Sequence, residues 1–133
     1  MNTYTIKEMS GIYHIPASTL RYYEEIGILT NVKRTKNHQR IYTDEHRCRL
    51  ESIHCFKNTG LSLSKMQEFY IYESDMEHNI DAILSLMQKH EKNTEKQILK
   101  MQKELVHIKK KVLFYQKIKQ AIDKNTAWPK WEP

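Results

Sequence analysis

A single periodic stretch governs what this chain can become. From Ile80, alternating steps of four and three residues reach Leu84, Met87, Glu91, Thr94, Ile98, Met101, Leu105, Ile108, Val112 and Tyr115, and nine of these eleven positions are apolar. That is the heptad pattern of a helix whose apolar seam faces another helix. The spacing predicts one helix over residues 76–123, on the order of 70 Å long at 1.5 Å per residue. A lone helix cannot bury such a seam, so pairing with a second copy is the economical solution. Glu91 and Thr94 interrupt the seam, either to set its register or because that stretch is solvated.

Composition agrees with a mainly helical, partly extended chain. Of 133 residues only 39% are apolar while 29% are charged, with three Gly and three Pro, too little apolar content for one compact globule built from the whole chain. No apolar run approaches membrane-spanning length and the N-terminus has no signal-peptide pattern, so a cytoplasmic protein with no membrane partner is expected. Cys48 and Cys55 should then be reduced thiols.

The first 75 residues have a different organisation. Thr5 and Glu8 form a capping-box pair for a short helix ending near Gly11. Ile12–Pro16 reads as a turn, and Ser18 or Thr19 opens a second helix with Leu20, Tyr23 and Ile26 inward and Gly27 at its end. Two short helices joined by a tight turn make a helix-turn-helix, whose second helix reads DNA. Residues 28–42 then read as a two-stranded wing, with Ile28, Leu29 and Val32 leading in and Asn37 and His38 at the tip. Thr43 caps a third helix that ends at Gly60, and Ser64 caps a fourth with Met66, Phe69 and Tyr70 inward.

Charge locates the nucleic-acid surface only when it is read locally. The formal net charge is +6. Residues 1–75 hold ten Lys/Arg against nine Asp/Glu, and residues 76–133 hold twelve against seven. The larger excess thus lies on the long helix, around Lys109, Lys110 and Lys111, where a solvated face is the ordinary explanation. Within the first part, Lys33, Arg34, Lys36 and Arg40 form a run with no acid between Glu25 and Asp44. A basic hairpin beside a helix carrying Arg21 and Tyr22 suits phosphate gripping beside groove reading.

In this order, residues 4–70 resemble the DNA-binding domain of the MerR family of bacterial transcription regulators. The resemblance rests on Tyr4-Thr5-Ile6-Lys7-Glu8, Thr19-Leu20-Arg21-Tyr22-Tyr23-Glu24, Ile26-Gly27-Ile28-Leu29, Arg34, Asn37, Arg40, Tyr42 and Gly60-Leu61-Ser62-Leu63. It implies a mainly α fold: a winged helix-turn-helix domain over residues 1–75, a dimerisation helix over 76–123 that pairs antiparallel with its twin as a coiled coil, and a short tail over 124–133. It also implies a homodimer on a palindromic operator in double-stranded DNA, inside an overlong promoter spacer, activating by bending and untwisting the DNA for RNA polymerase.

The same resemblance assigns Arg21 and Tyr22 to the major groove and Ser18 and Thr19 to its phosphate-facing start. Arg34, Asn37, Arg40 and Tyr42 fall on the wing, and Lys57 is a further backbone contact. Tyr42 has a second reading, as packing between the wing and the third helix. The family usually places Gly where His38 stands, an aromatic at Gln39 and Pro at Asn31. Without that Gly, Asn37 is expected to take the left-handed conformation of the wing turn.

No cofactor, metal or catalytic site is expected. The seven histidines show no close metal-ligand spacing, and no nucleophile–base pair or phosphate loop appears. Metal-sensing members of the family use cysteines at and beyond the dimerisation helix, and this chain has none after Cys55; drug-binding members carry a large further domain where only about ten residues follow here.

Ile53–Gly60 resembles the third helix of the branch responding to aldehydes and other electrophiles, which makes Cys55 the candidate effector-sensing thiol, with His54 and Lys57 as neighbouring cations. A buried, inert Cys55 is the competing reading. Cys48, two turns earlier at about 10 Å, is beyond the roughly 7 Å that a disulfide permits. A DNA-binding adaptor that senses nothing is the alternative class. Trp128 and Trp131 are expected to pack on the body of the dimer.

Overall fold

The computed structural model describes residues 2–133, which divide into two compact units, residues 2–88 and 89–133. In the first, the elements run β1 (Thr3–Tyr4), α1 (Ile6–Tyr13), α2 (Ala17–Glu25), β2 (Lys33–Arg34), β3 (Arg40–Thr43), α3 (Asp44–Asn58) and α4 (Leu63–Glu73). The long helix α5 (Met76–Asp123) begins in the first unit and continues into the second.

Local chemistry accounts for most helix boundaries. Thr5 and Glu8 make the reciprocal capping box, the Thr5 hydroxyl accepting from the Glu8 N–H and the Glu8 carboxylate accepting from the Thr5 N–H, each at 3.1 Å. Thr43 caps α3 in a box whose third member is a histidine: the Thr43 N–H donates to His46 Nδ1 at 2.9 Å. Gly27 and Gly60 stop α2 and α3 at φ 83° and 84°, a conformation that costs glycine no Cβ clash. The fourth helix departs from expectation. Its cap is Ser62, whose hydroxyl accepts from the Lys65 N–H, and Ser64 lies inside the first turn.

A core of Met9, Leu20, Tyr23, Ile28, Leu29, Tyr42, Leu50, Ile53, Met66, Phe69 and Tyr70 holds the first unit together. Each fully buried aliphatic side chain among them contributes about 1.5–3 kcal/mol relative to exposure. Ile28 and Leu29 belong to this core and not to the wing, because the chain dives inward after Gly27 before it emerges at β2. Ile83, Leu86 and Met87 of α5 also pack against it, which is why the compact unit extends to Gln88.

The sheet has the order β1-β3-β2 and is antiparallel throughout, with Tyr4 opposite Tyr42 and Arg34 opposite Arg40. Strand β1 is an addition to the expected two-stranded wing: it ties the chain's start to β3, and the Tyr4 hydroxyl donates to Asp44 at 2.8 Å. The wing turn also departs from expectation. His38, not Asn37, takes the left-handed conformation, at φ 62°, directly after the turn closed by His38 N–H donating to the Thr35 carbonyl at 2.9 Å. This is a type I turn followed by a left-handed residue, the geometry in which the family's usual glycine has an obvious place. Asn31 is left-handed too, at φ 62°, a conformation closed to proline.

In the second unit, α5 ends on a left-handed Asn125 with the Thr126 N–H donating back to the Ala121 carbonyl at 2.9 Å. The returning tail lays Trp131 against Phe114, ring centroids 5.3 Å apart, with the Lys111 Nζ 3.8 Å from the indole. Trp131 therefore packs on its own helix, while Trp128 is 62% exposed. Along this part of α5 the seam residues Ile98, Met101, Leu105, Ile108, Val112 and Tyr115 are exposed, and Leu99, Val106 and Leu113 add a second stripe beside them at heptad spacing.

Candidate nucleic-acid interface

The helix-turn-helix presents one face of α2 outward. Leu20 and Tyr23 are buried, whereas Ser18, Arg21, Tyr22 and Glu25, spaced three, four and seven residues from the first, are exposed. Tyr22 is 45% exposed although aromatic, because its neighbour Tyr23 takes the inward position. The helix begins at Ala17 with Pro16 in the cap position and no side-chain cap bond, so the first-turn donors are not closed off by a capping hydroxyl. Thr19 lies half-buried on the flank of that face.

Beside it the β2–β3 hairpin exposes Lys33, Arg34, Lys36 and Asn37. Its tip is held from within: Thr35 N–H donates to the Gln39 carbonyl at 2.8 Å, Gln39 N–H donates to the Thr35 hydroxyl at 3.2 Å, and Arg34 Nη1 donates to the His38 carbonyl at 3.3 Å. Lys57 is exposed at the last turn of α3, where it also complements the helix dipole.

Two wing residues sit differently from the rest. Tyr42 is 0% exposed; its ring meets His46 edge-on and its hydroxyl donates to Glu24 at 3.2 Å. Burial and the neighbouring Glu24 carboxylate raise its phenol well above the ordinary tyrosine range. A direct phosphate contact from Tyr42 is therefore replaced by its packing reading. Arg40 is half-buried and its Nε donates to the same Glu24 carboxylate. Glu24, absent from the expected site, thus clasps the wing to α2, and from α4 the Gln67 side chain holds the end of α2 by donating to the Ile26 carbonyl at 2.9 Å. Nothing local in the sequence marks either clasp, since 16 and 41 residues separate the partners.

Cys48 and Cys55 are both exposed, so Cys55 is not a buried side chain. Its neighbour His54 bonds Asn58 at 2.9 Å. Among the described residues no three His, Cys, Asp or Glu side chains are grouped to hold a metal, and no helix is long and apolar enough to cross a membrane.

Comparison with known proteins accords with this geometry. Residues 4–70 match the family model described as MerR HTH family regulatory protein. The chain is 35% identical over 117 residues to an HTH-type transcriptional regulator of Haemophilus influenzae, covering 88% of this chain and 87% of that one. It is 31% identical over 77 residues to the HTH-type transcriptional regulator AdhR of Bacillus subtilis, covering 58% and 55%. Among solved structures it resembles HiNmlR, described as a MerR family regulator lacking the sensor domain and bound to promoter DNA. The TM-score is 0.82 at 32% identity, over 94% of this chain and 97% of that one. The outward face of α2, the basic hairpin beside it and these likenesses together place the chain in the MerR family of DNA-binding transcriptional regulators.

Proposed function

We propose that the protein acts as a homodimer on a palindromic promoter operator. Arg21 and Tyr22 enter the major groove, Ser18 and Thr19 meet phosphate at the uncapped start of α2, and Arg34, Asn37, Arg40 and Lys57 contact the backbone. Residues 1–75 bind DNA, 76–123 dimerise and 124–133 close the end of the long helix. The observation that carries this reading is the exposed face Ser18, Arg21, Tyr22 beside an exposed basic hairpin. The exposed seam from Ile98 to Tyr115 supports pairing with a second copy, antiparallel, as a coiled coil.

Activation then works through DNA shape. Bending a site by tens of degrees costs on the order of 1–6 kcal/mol, so small differences in how the two reading helices are held decide whether the promoter is distorted for RNA polymerase. Cys55 is the proposed sensing thiol, for aldehydes or other electrophiles; its exposure supports this role.

Sedimentation together with footprinting on the DNA beside the gene tests the reading. A dimer protecting two half-sites in an overlong promoter spacer is expected, and a monomer at micromolar concentration contradicts it. For the sensor, Cys55→Ser should bind the promoter normally and lose induction by aldehydes. A normal response in that variant contradicts Cys55.

A further inference from the structure

The lysines of α5 are sorted by position. Lys89, Lys96, Lys103, Lys110 and Lys117 recur at every seventh residue, all exposed, on the line of the helix opposite the seam that holds Ile98, Leu105 and Val112. At 1.5 Å per residue the row runs about 42 Å. Lys92 and Lys100 fall between its members at steps of three and four residues, where each like-charged pair destabilises the helix. The acids of residues 89–123 are Glu91, Glu95, Glu104 and Asp123, which stand on the seam or next to it and leave none on the opposite face. Among the described residues none of the five lysines in the row has an ion pair. A solvated helix face ordinarily mixes the two signs. This one carries a single sign, with no relief inside the chain.

Apolar side chains accompany the row. Leu99, Val106 and Leu113 keep the same seven-residue spacing beside it and are 55%, 56% and 54% exposed. Next to Leu113 the returning tail forms one wall of a recess of about 230 Å³. Leu113, Phe114 and Trp131 supply its apolar lining, and Lys110, Lys117 and Lys130 its charge, against the single Glu132. The wall is held in place, since Trp131 lies edge-on to both His107 and Phe114 with Lys111 over its face.

We propose that this face of α5 docks an acidic amphipathic helix of a partner protein. Apolar residues of that helix, repeating every seven, lie along Leu99, Val106 and Leu113, a large one enters the recess beside Trp131, and flanking Asp and Glu side chains meet the lysine row. Charge complementarity selects an acidic partner. The exposed apolar stripe selects protein over nucleic acid, because phosphates offer nothing to Leu99 or Val106. A stripe of one apolar residue per heptad is too narrow for a helix lying in a membrane surface. The face shares no residue with the pairing seam or with the set proposed to contact DNA, so the inference stands apart from both.

The test is fluorescence anisotropy of the full chain, at about 0.15 M salt, with a labelled four-heptad peptide that carries Leu at every seventh position and Glu on both sides of it. A scrambled peptide of the same composition is the control. The patterned peptide should bind about tenfold or more tighter than the scramble. Lys103→Gln, Lys110→Gln and Lys117→Gln together should weaken it about tenfold or more, whereas the same charge loss from Lys7, Lys65 and Lys119 should change it less than about twofold. Val106→Ser with Leu113→Ser, both exposed in the free chain, should weaken it about tenfold while helix content and sedimentation mass stay at wild type. Equal affinity for the two peptides, no saturable binding at millimolar concentration, or wild-type binding in the lysine or the serine variant overturns the proposal. So does a loss of non-operator duplex or phosphatidylserine-vesicle binding in the lysine variant as large as its loss of peptide binding, which would give the face to nucleic acid or to membrane.

Discussion

Glu24 holds Arg40: the Arg40 Nε donates to Glu24 Oε2 at 2.5 Å, with both side chains mostly shielded from water, at 19% and 16% exposure. The pair joins the last turn of α2 to the first residue of β3, so a carboxylate beside the proposed DNA surface ties the helix to the wing.

That position makes the sign of a substitution informative. Removing an acid from a DNA-binding face should tighten binding if charge alone matters. Because Glu24 positions Arg40 and satisfies the Tyr42 hydroxyl, Glu24→Ala should instead weaken specific operator binding about tenfold and cost about 1–3 kcal/mol of stability. Anisotropy titration at fixed salt, with chemical denaturation, checks both.

The wing turn predicts a gain. His38 sits at φ 62°, where a side chain costs about 1–2 kcal/mol and glycine pays only its chain entropy. His38→Gly should therefore raise stability by up to about 1 kcal/mol, read from the denaturation midpoint. A loss of comparable size would show that the imidazole makes a compensating contact.

His46 is a structural histidine with its tautomer set by its neighbours. Nδ1 accepts from the Thr43 N–H, so Nε2 carries the proton and donates to the Thr30 carbonyl at 2.8 Å. It is 6% exposed. His46→Ala leaves the Thr43 donor and the Thr30 acceptor unpaired and should cost about 2–4 kcal/mol, measured by denaturation.

Alkaline conditions should destabilise the fold. Burial pushes the Tyr70 phenol up to about 12 from 10.0. The folded chain then holds its proton more tightly than the unfolded one; the stabilisation is whole below pH 10 and is lost as pH rises toward about 12. Thermal melts over that window should show a falling midpoint that is shallower in Tyr70→Phe.

The first unit was legible in the sequence where one local signal had no rival. Where neighbours competed, the expected residue was off by one to two positions, as with Ser64 for Ser62, Asn37 for His38, Ser18 or Thr19 for an α2 that starts at Ala17, and Gly11 for an α1 that ends at Tyr13. Thr5 with Glu8, Thr43, Gly27 and Gly60 mark helix ends through bonds and backbone conformations reaching only a few residues, and each boundary was found. What lay hidden depends on distant partners. Strand β1 is two residues long and exists because β3 lies beside it, and Tyr42 is buried because Glu24 and His46 close around it. The same holds for Ile28 and Leu29, whose β-forming side chains suited a strand until the core claimed them. At the helix faces, the alternation of Leu20 and Tyr23 with Ser18, Arg21 and Tyr22 announced the outward surface before any contact was known. The clasps that orient that surface, Glu24 and Gln67, had no such signal.

In the proposed function the outward face of α2 reads the operator. Its most direct test is the affinity of Arg21→Ala for the footprinted promoter fragment, against a scrambled duplex at the same salt. A loss of about 1–3 kcal/mol per half-site in specific binding is predicted, with sedimentation mass and scrambled-duplex affinity near wild type. Wild-type discrimination between operator and scrambled DNA in that variant would contradict it.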